Sequence, residues 1–180
     1  MNSINKQQPE ENHENLAGRE AIDRVIGLVR QIESCFFCTE KAVRGSVAAR
    51  PMTVREIDEN GHIWFLSPAD SHKNVEIDRD EAVTLYFQGS SHSDFLVLHG
   101  TATVSKDKAT IERLWDPTLK TWFTGGVDDP RITAIEVVPH EGYYWDTKHG
   151  NLVAGLKILV GTVIGKTLDD SIEGKLKIPA

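Results

Sequence analysis

Apolar residues recur at Ile22, Val25, Ile26, Val29 and Ile32, a helical spacing that predicts an amphipathic helix over 19–33. From residue 35 the period changes to that of strands. Segments 35–39, 45–54, 62–66, 82–88, 95–104 and 132–138 read as strands, and 143–145 adds a short last one. Between Ile57 and Ile63, Asn60-Gly61 is a strong hairpin signal, because the favoured tight turns need φ > 0 at both central positions. Short helices are predicted over 73–78 and 106–115. An apolar run predicts a C-terminal helix over 152–164, weakened by Gly155 and Gly161. Strands without regular helical crossovers argue against a Rossmann sheet. They predict a mainly β protein with flanking helices, built as a closed or partly open barrel.

Nothing repeats at a fixed period and no linker divides the chain. Its 180 residues therefore predict a disordered tail over 1–17, one domain over 18–148, and a C-terminal helix and tail over 149–180. The formal net charge of −7 argues against general affinity for nucleic acid or an anionic membrane, so an anionic ligand needs a local cluster of cations. The run 152–164 contains Lys157 and is too short to span a bilayer. The polar N-terminus has no export signal and there are only two cysteines, which places the protein in a reducing cytoplasm.

Several motifs lose their functional reading on inspection. Cys35-Phe36-Phe37-Cys38 matches C-x-x-C, but it lies in a strand segment, where residues three apart face opposite ways. No second ligand pair completes a zinc site, and core packing is the better account. The run 161–167 has one residue too few between its glycines for a phosphate-binding loop. The seven histidines form no metal-binding pattern. Of these, His72 stands out because it lies between Ser71 and Lys73. Trp115, Trp122, Phe123, Tyr143, Tyr144 and Trp145 gather aromatics in the second half. Core and interface packing explains them, with Trp122 or Trp145 meeting a planar ligand as the alternative.

One constellation carries chemistry. Ala49-Arg50-Pro51-Met52-Thr53 and Trp64-Phe65-Leu66-Ser67 flank the hairpin turn, and Ser71-His72-Lys73 follows closely. If the two segments are adjacent antiparallel strands, Arg50, Ser67, Ser71 and Lys73 approach one spot. Two cations and two hydroxyls can hold a phosphate monoester through charge-assisted hydrogen bonds. The bland alternative is a set of ordinary surface residues beside a hairpin.

These segments form a familiar series with Leu98-His99-Gly100-Thr101-Ala102, Leu114-Trp115-Asp116-Pro117, Trp122-Phe123, Gly125-Gly126, Asp129-Pro130 and Tyr144-Trp145-Asp146. Their order resembles the general stress protein branch of the pyridoxamine 5′-phosphate oxidase-like, FMN-binding split-barrel family, over roughly residues 21–148. The resemblance implies a six-stranded antiparallel Greek-key split β-barrel that forms a homodimer, with FMN at the subunit interface. Carried over, Arg50 and Lys73 bind the FMN phosphate, with hydrogen bonds from Ser67, Ser71 and His72. Pro51, Met52 and Thr53 lie along the isoalloxazine, and Phe65 and Leu66 frame the same pocket. Trp122 and Phe123 come from the partner subunit, and Trp145 lies on the rim.

The implied activity is an FMN-dependent oxidoreduction of a small-molecule redox substrate that the sequence does not name. The alternative is a non-catalytic module holding flavin or haem in the same cleft. Authentic pyridoxamine 5′-phosphate oxidases carry a C-terminal Arg-x-His element that holds their substrate. After Trp145-Asp146 this chain has Thr147-Lys148-His149-Gly150 instead, which argues against vitamin B6 oxidation.

Overall fold

The computed structural model describes residues 12–43, 48–90, 94–147 and 171–179. Helix α1 (Arg19–Ile32) turns Ala21, Val25, Ile26, Leu28 and Val29 into the core, as the apolar spacing requires. It ends at Glu33, whose left-handed backbone lets its N–H reach the Val29 carbonyl.

Strand β1 (Leu16–Ala17) precedes α1, and β2 (Ser34–Thr39) follows it. Next come β3 (Ala49–Thr53), β4 (Glu56–Ile57), β5 (Ile63–Pro68) and helix α2 (His72–Arg79). Strands β6 (Ala82–Gln88) and β7 (Phe95–Ser105) lead to α3 (Lys108–Leu114) and two 3-10 turns, Pro117–Thr121 and Gly126–Asp128. The long β8 (Ile132–Thr147) and β9 (Ser171–Lys177) complete the order. Among the described residues the protein is mainly β, with three α-helices and one mixed sheet.

The sheet runs β1-β9-β8-β7-β6-β2-β3, with β5 also on β8 and β4 on β5. Strand β8 organises it. One edge pairs with β7, while the other takes β5 in its first half and β9 in its second. The change of partner falls at a bulge, where His99 pairs Glu141 and Gly100 pairs Pro139, leaving His140 between them. Pro139 has no N–H to give a ladder, so a break in pairing is where a proline is tolerated. The core closes between β2 and β5, where Phe37 and Phe65 meet edge to face at 5.4 Å. A second apolar cluster, with Ile111, Leu114, Phe123, Ile132 and Ala134, seats α3 on the other side of β5.

Three expectations change. The tail over 1–17 is not unstructured at its inner end, because residues 12–17 run beside β9 and β1 pairs with it in parallel. The Glu14 backbone passes so close that a Cβ at Gly174 would collide with the Glu14 carbonyl oxygen, so glycine is required there. The C-terminal segment is a strand over Ser171–Lys177, while the helix expected over 152–164 lies outside the described residues. The hairpin at Asn60-Gly61 forms with Gly61 at φ 84°, but it joins β4 to β5 through a five-residue loop capped by Asp58. Strand β3 pairs with β2 and not with β5, so the two motif segments are not adjacent strands.

Candidate functional site

The start of α2 gathers the polar groups. Ser71 is its N-cap, accepting from the Asn74 amide, so the positive end of the helix faces the end of β5. One turn in, Lys73 folds back so that its Nζ donates to Ser67 Oγ and also to Ser71 Oγ at 3.3 Å. The two hydroxyls lie 3.1 Å apart, and Asn74 Oδ1 accepts from both. The side-chain Nδ2 of Asn74 donates to Thr133 Oγ1, which donates in turn to the Ser67 carbonyl.

Ser67, Lys73, Asn74 and Thr133 are all buried. Among the described residues Lys73 has no carboxylate within ion-pair distance. Burial, then the charge of Arg50, lowers its pKa to about 8, and Glu76 only partly opposes this. A buried ammonium ringed by hydroxyls has the donors that an anion would need.

Arg50 reaches the same corner by another route. It lies on the inner side of β3, opposite Phe37, and its Nη2 meets Glu76 Oε2 at 2.5 Å. Its Nη1 donates to Thr39 Oγ1 and the Ala48 carbonyl. Thus the strand adjacency expected from the sequence does not bring Arg50 to Lys73. The link is α2, which presents Glu76 to one cation and carries the other.

The remaining candidates separate. Pro51 and Thr53 are exposed on the outer face of β3, while Met52 is half-buried against the core. Phe65 and Leu66 point to opposite sides of β5. Phe65 is wholly in the core and Leu66 is in the α3 cluster, so their side chains do not frame one pocket. Phe123 is buried within its own protomer against Trp115, whereas its neighbour Trp122 is 66% exposed. His72 is exposed at the first position of α2.

Trp145 is not brought to this corner. It lines a groove of about 680 Å³ on the outer face of the sheet with Phe36, Tyr86, Phe95 and Val97. Across that face, Pro51, Phe36, Tyr86, Val97 and Tyr143 stand opposite one another on successive strands. Phe36 is 58% exposed and Tyr86 47% exposed, so the row is an apolar band open to water.

The two cysteines divide as their spacing predicts: Cys35 is buried and Cys38 half-buried on the opposite side. Burial raises the Cys35 thiol to about 12, so it is no reactive thiolate.

Sequence reasoning missed Asn74, Thr133, Thr39 and Glu76. Asn74 and Glu76 carried a local signal. Asn74 is three residues after the capping Ser71, and Glu76 is three after Lys73 on the same helical side. Thr39 and Thr133 are set by strand pairing and carried none.

Helix α2, between β5 and β6 of a mainly β sheet, brings Lys73 and its own N-terminus to a cluster of hydroxyls. Residues 20–169 match the pyridoxamine 5′-phosphate oxidase-like family, and the chain belongs to it. Protein bli-3 of Neurospora crassa is 24% identical over 137 residues, which is 71% of this chain and 66% of that protein. The chain thus spans just under two thirds of that relative.

Among solved structures, a protein assigned as general stress protein 26 from Jannaschia sp. CCS1 superposes with a TM-score of 0.66. It is 20% identical, covering 88% of this chain and 96% of that one. The general stress FMN/FAD binding protein of Xanthomonas citri gives a TM-score of 0.59 at 22% identity, covering 68% of this chain and 86% of that one. General stress protein 26 of Bacillus anthracis gives 0.56 at 20% identity, covering 70% and 92%. At these identities the likeness establishes the fold.

Proposed function

We propose that this protein is a cytoplasmic, homodimeric FMN-binding oxidoreductase of general stress protein type, acting on a small-molecule redox substrate. The observation that carries the reading is Lys73, a buried ammonium held by Ser67 and Ser71 at the start of α2 with no carboxylate bonded to it. A phosphate monoester supplies the missing negative charge, and the donor set suits it: an ammonium, two hydroxyls and the exposed His72.

In this reading Lys73, Ser67 and Ser71 hold the FMN phosphate, and Arg50 adds positive charge from β3. The exposed edge strand β3 gives the ring a wall along the backbone of Pro51, Met52 and Thr53. When bound, FMN supplies hydride and electron transfer, so the chain has to bind, orient and shield it. The outer band of Phe36, Tyr86, Val97 and Tyr143 is the surface a second copy would cover, and exposed Trp122 is the residue able to reach across. The strands around the Phe37–Phe65 core, β2, β3, β5, β6, β7 and β8, make the six-stranded split barrel, with β1, β4 and β9 added to it. The free cysteines agree with a reducing compartment.

The test is the visible spectrum of the purified protein, with FMN titration of any colourless fraction and mass measurement by light scattering. Flavin absorption or saturable quenching of FMN fluorescence on a dimer supports the reading. A monomer that neither carries nor takes up FMN rejects it.

A further inference from the structure

Glu76 is the most deeply buried charged side chain of the described residues, and it is built into three elements at once. It lies one turn after Lys73 on α2 and accepts from Thr39 Oγ1 on β2 at 2.7 Å. It also accepts from the Val43 amide in the β2–β3 connection at 2.9 Å and from Arg50 Nη2 on β3 at 2.5 Å. A carboxylate taken wholly out of water stays ionised only where such donors replace its hydration.

Resting on the FMN reading above, we propose that Glu76 is the positioning residue of the phosphate clamp. It fixes Arg50 beside Lys73 and supplies the negative charge against which the two cations are held together. It touches neither phosphate nor flavin.

The charges acting on Lys73 define what Glu76 does. From β3, Arg50 opposes the lysine proton, and from α2 itself Glu76 favours it. Strands β2, β5 and β8 present Thr39, Ser67 and Thr133 to this corner, all uncharged. No charge from β7, which also packs on α2, enters the balance. Lys73 gives up its proton at about pH 8 in the free protein. Removing the Glu76 charge leaves Arg50 unopposed and moves that loss to lower pH.

The experiment titrates the full chain with FMN and with riboflavin from pH 7 to pH 10, where the FMN phosphate is already a dianion. The ratio of the two dissociation constants isolates the phosphate. In the wild type the ratio falls as pH rises through about 8. In Glu76→Gln the fall comes about one pH unit lower, so that the ratio is roughly fivefold smaller near pH 8 and roughly tenfold smaller near pH 9. A purely structural role would weaken both ligands together and leave the midpoint in place, and an unmoved midpoint overturns the proposal.

Should Glu76→Gln fail to fold, the double variant Glu76→Gln with Arg50→Gln removes both halves of the buried ion pair, so neither is left without its partner. Its midpoint returns towards the wild-type value, because the opposing influences leave together. A double-variant midpoint that stays well below the wild-type value overturns the proposal equally. If the wild-type ratio is one at every pH, the FMN reading fails first, and that outcome is distinct from a wild-type ratio that Glu76 does not affect.

Discussion

At the start of α2 the polar groups sit where water is excluded, whereas across the outer face of the sheet apolar groups stand in water. Lys73, Ser67, Asn74 and Glu76 are buried; Phe36 and Tyr86 are about half exposed. Each arrangement costs free energy in an isolated protomer, the first by desolvating an ammonium and the second by hydrating aromatic rings. Each would be relieved by an occupant, and the occupants would differ in kind. In the proposed reading an anion answers the α2 corner, and the apolar surface of a second copy answers the sheet.

Arg50 shows how the two regions join. Its strand neighbour Pro51 belongs to the outer band, while its guanidinium turns inward to Glu76. A ligand with a phosphate at one end and a flat ring at the other would use both sides of β3.

The contrast breaks most visibly at the band. Phe36→Asp puts a carboxylate into the surface assigned to the second copy. Burying it unpaired costs about 3–5 kcal/mol of association, and sedimentation velocity should find this variant monomeric under the conditions in which the proposed wild-type dimer forms.

Lys73→Met tests the corner in two directions at once. Loss of a charge-assisted contact of about 1.5–3 kcal/mol weakens FMN binding roughly 10- to 100-fold by fluorescence titration. The same substitution raises the melting temperature of the flavin-free protein, because a desolvated ammonium is replaced by an apolar chain of similar length.

The pH dependence has a definite sign. Folded Lys73 holds its proton less well than the unfolded lysine, so its unfavourable contribution fades as pH rises from about 8 towards the usual lysine range. Flavin-free wild type therefore gains stability across that window, and Lys73→Met lacks this gain in thermal melts at stepped pH.

Ser71→Ala removes one hydroxyl and with it the side-chain cap of α2, while Lys73 keeps its bond to Ser67, and FMN affinity falls by about 3- to 10-fold. The smallest effect belongs to Trp122→Ala in the isolated protomer, where it shifts chemical denaturation by no more than about 0.5 kcal/mol, since its ring is mostly in water there.

The sequence made the local features legible. The α1 spacing, the Asn60-Gly61 hairpin and the convergence of Ser67, Ser71 and Lys73 all depend on residues within a few positions of one another. Partner choice between strands is a different matter, because alternation marks a strand without naming its neighbour. That is why β3 pairs with β2 instead of β5, and why Arg50 meets Lys73 through Glu76. The parallel pairing of β1 with β9 joins the two ends of the chain and has no short-range signature at all. Phe65 and Leu66 teach the same lesson on a smaller scale: adjacent in sequence, they serve opposite faces of β5.

The central claim is that the α2 corner is an anion clamp. Calorimetric titration of the wild-type protein at pH 7 with FMN and with riboflavin tests it most directly, since the two differ by the phosphate alone. The clamp predicts FMN to bind at least about tenfold more tightly, the worth of one charge-assisted hydrogen bond. Equal affinity for the two ligands would contradict it.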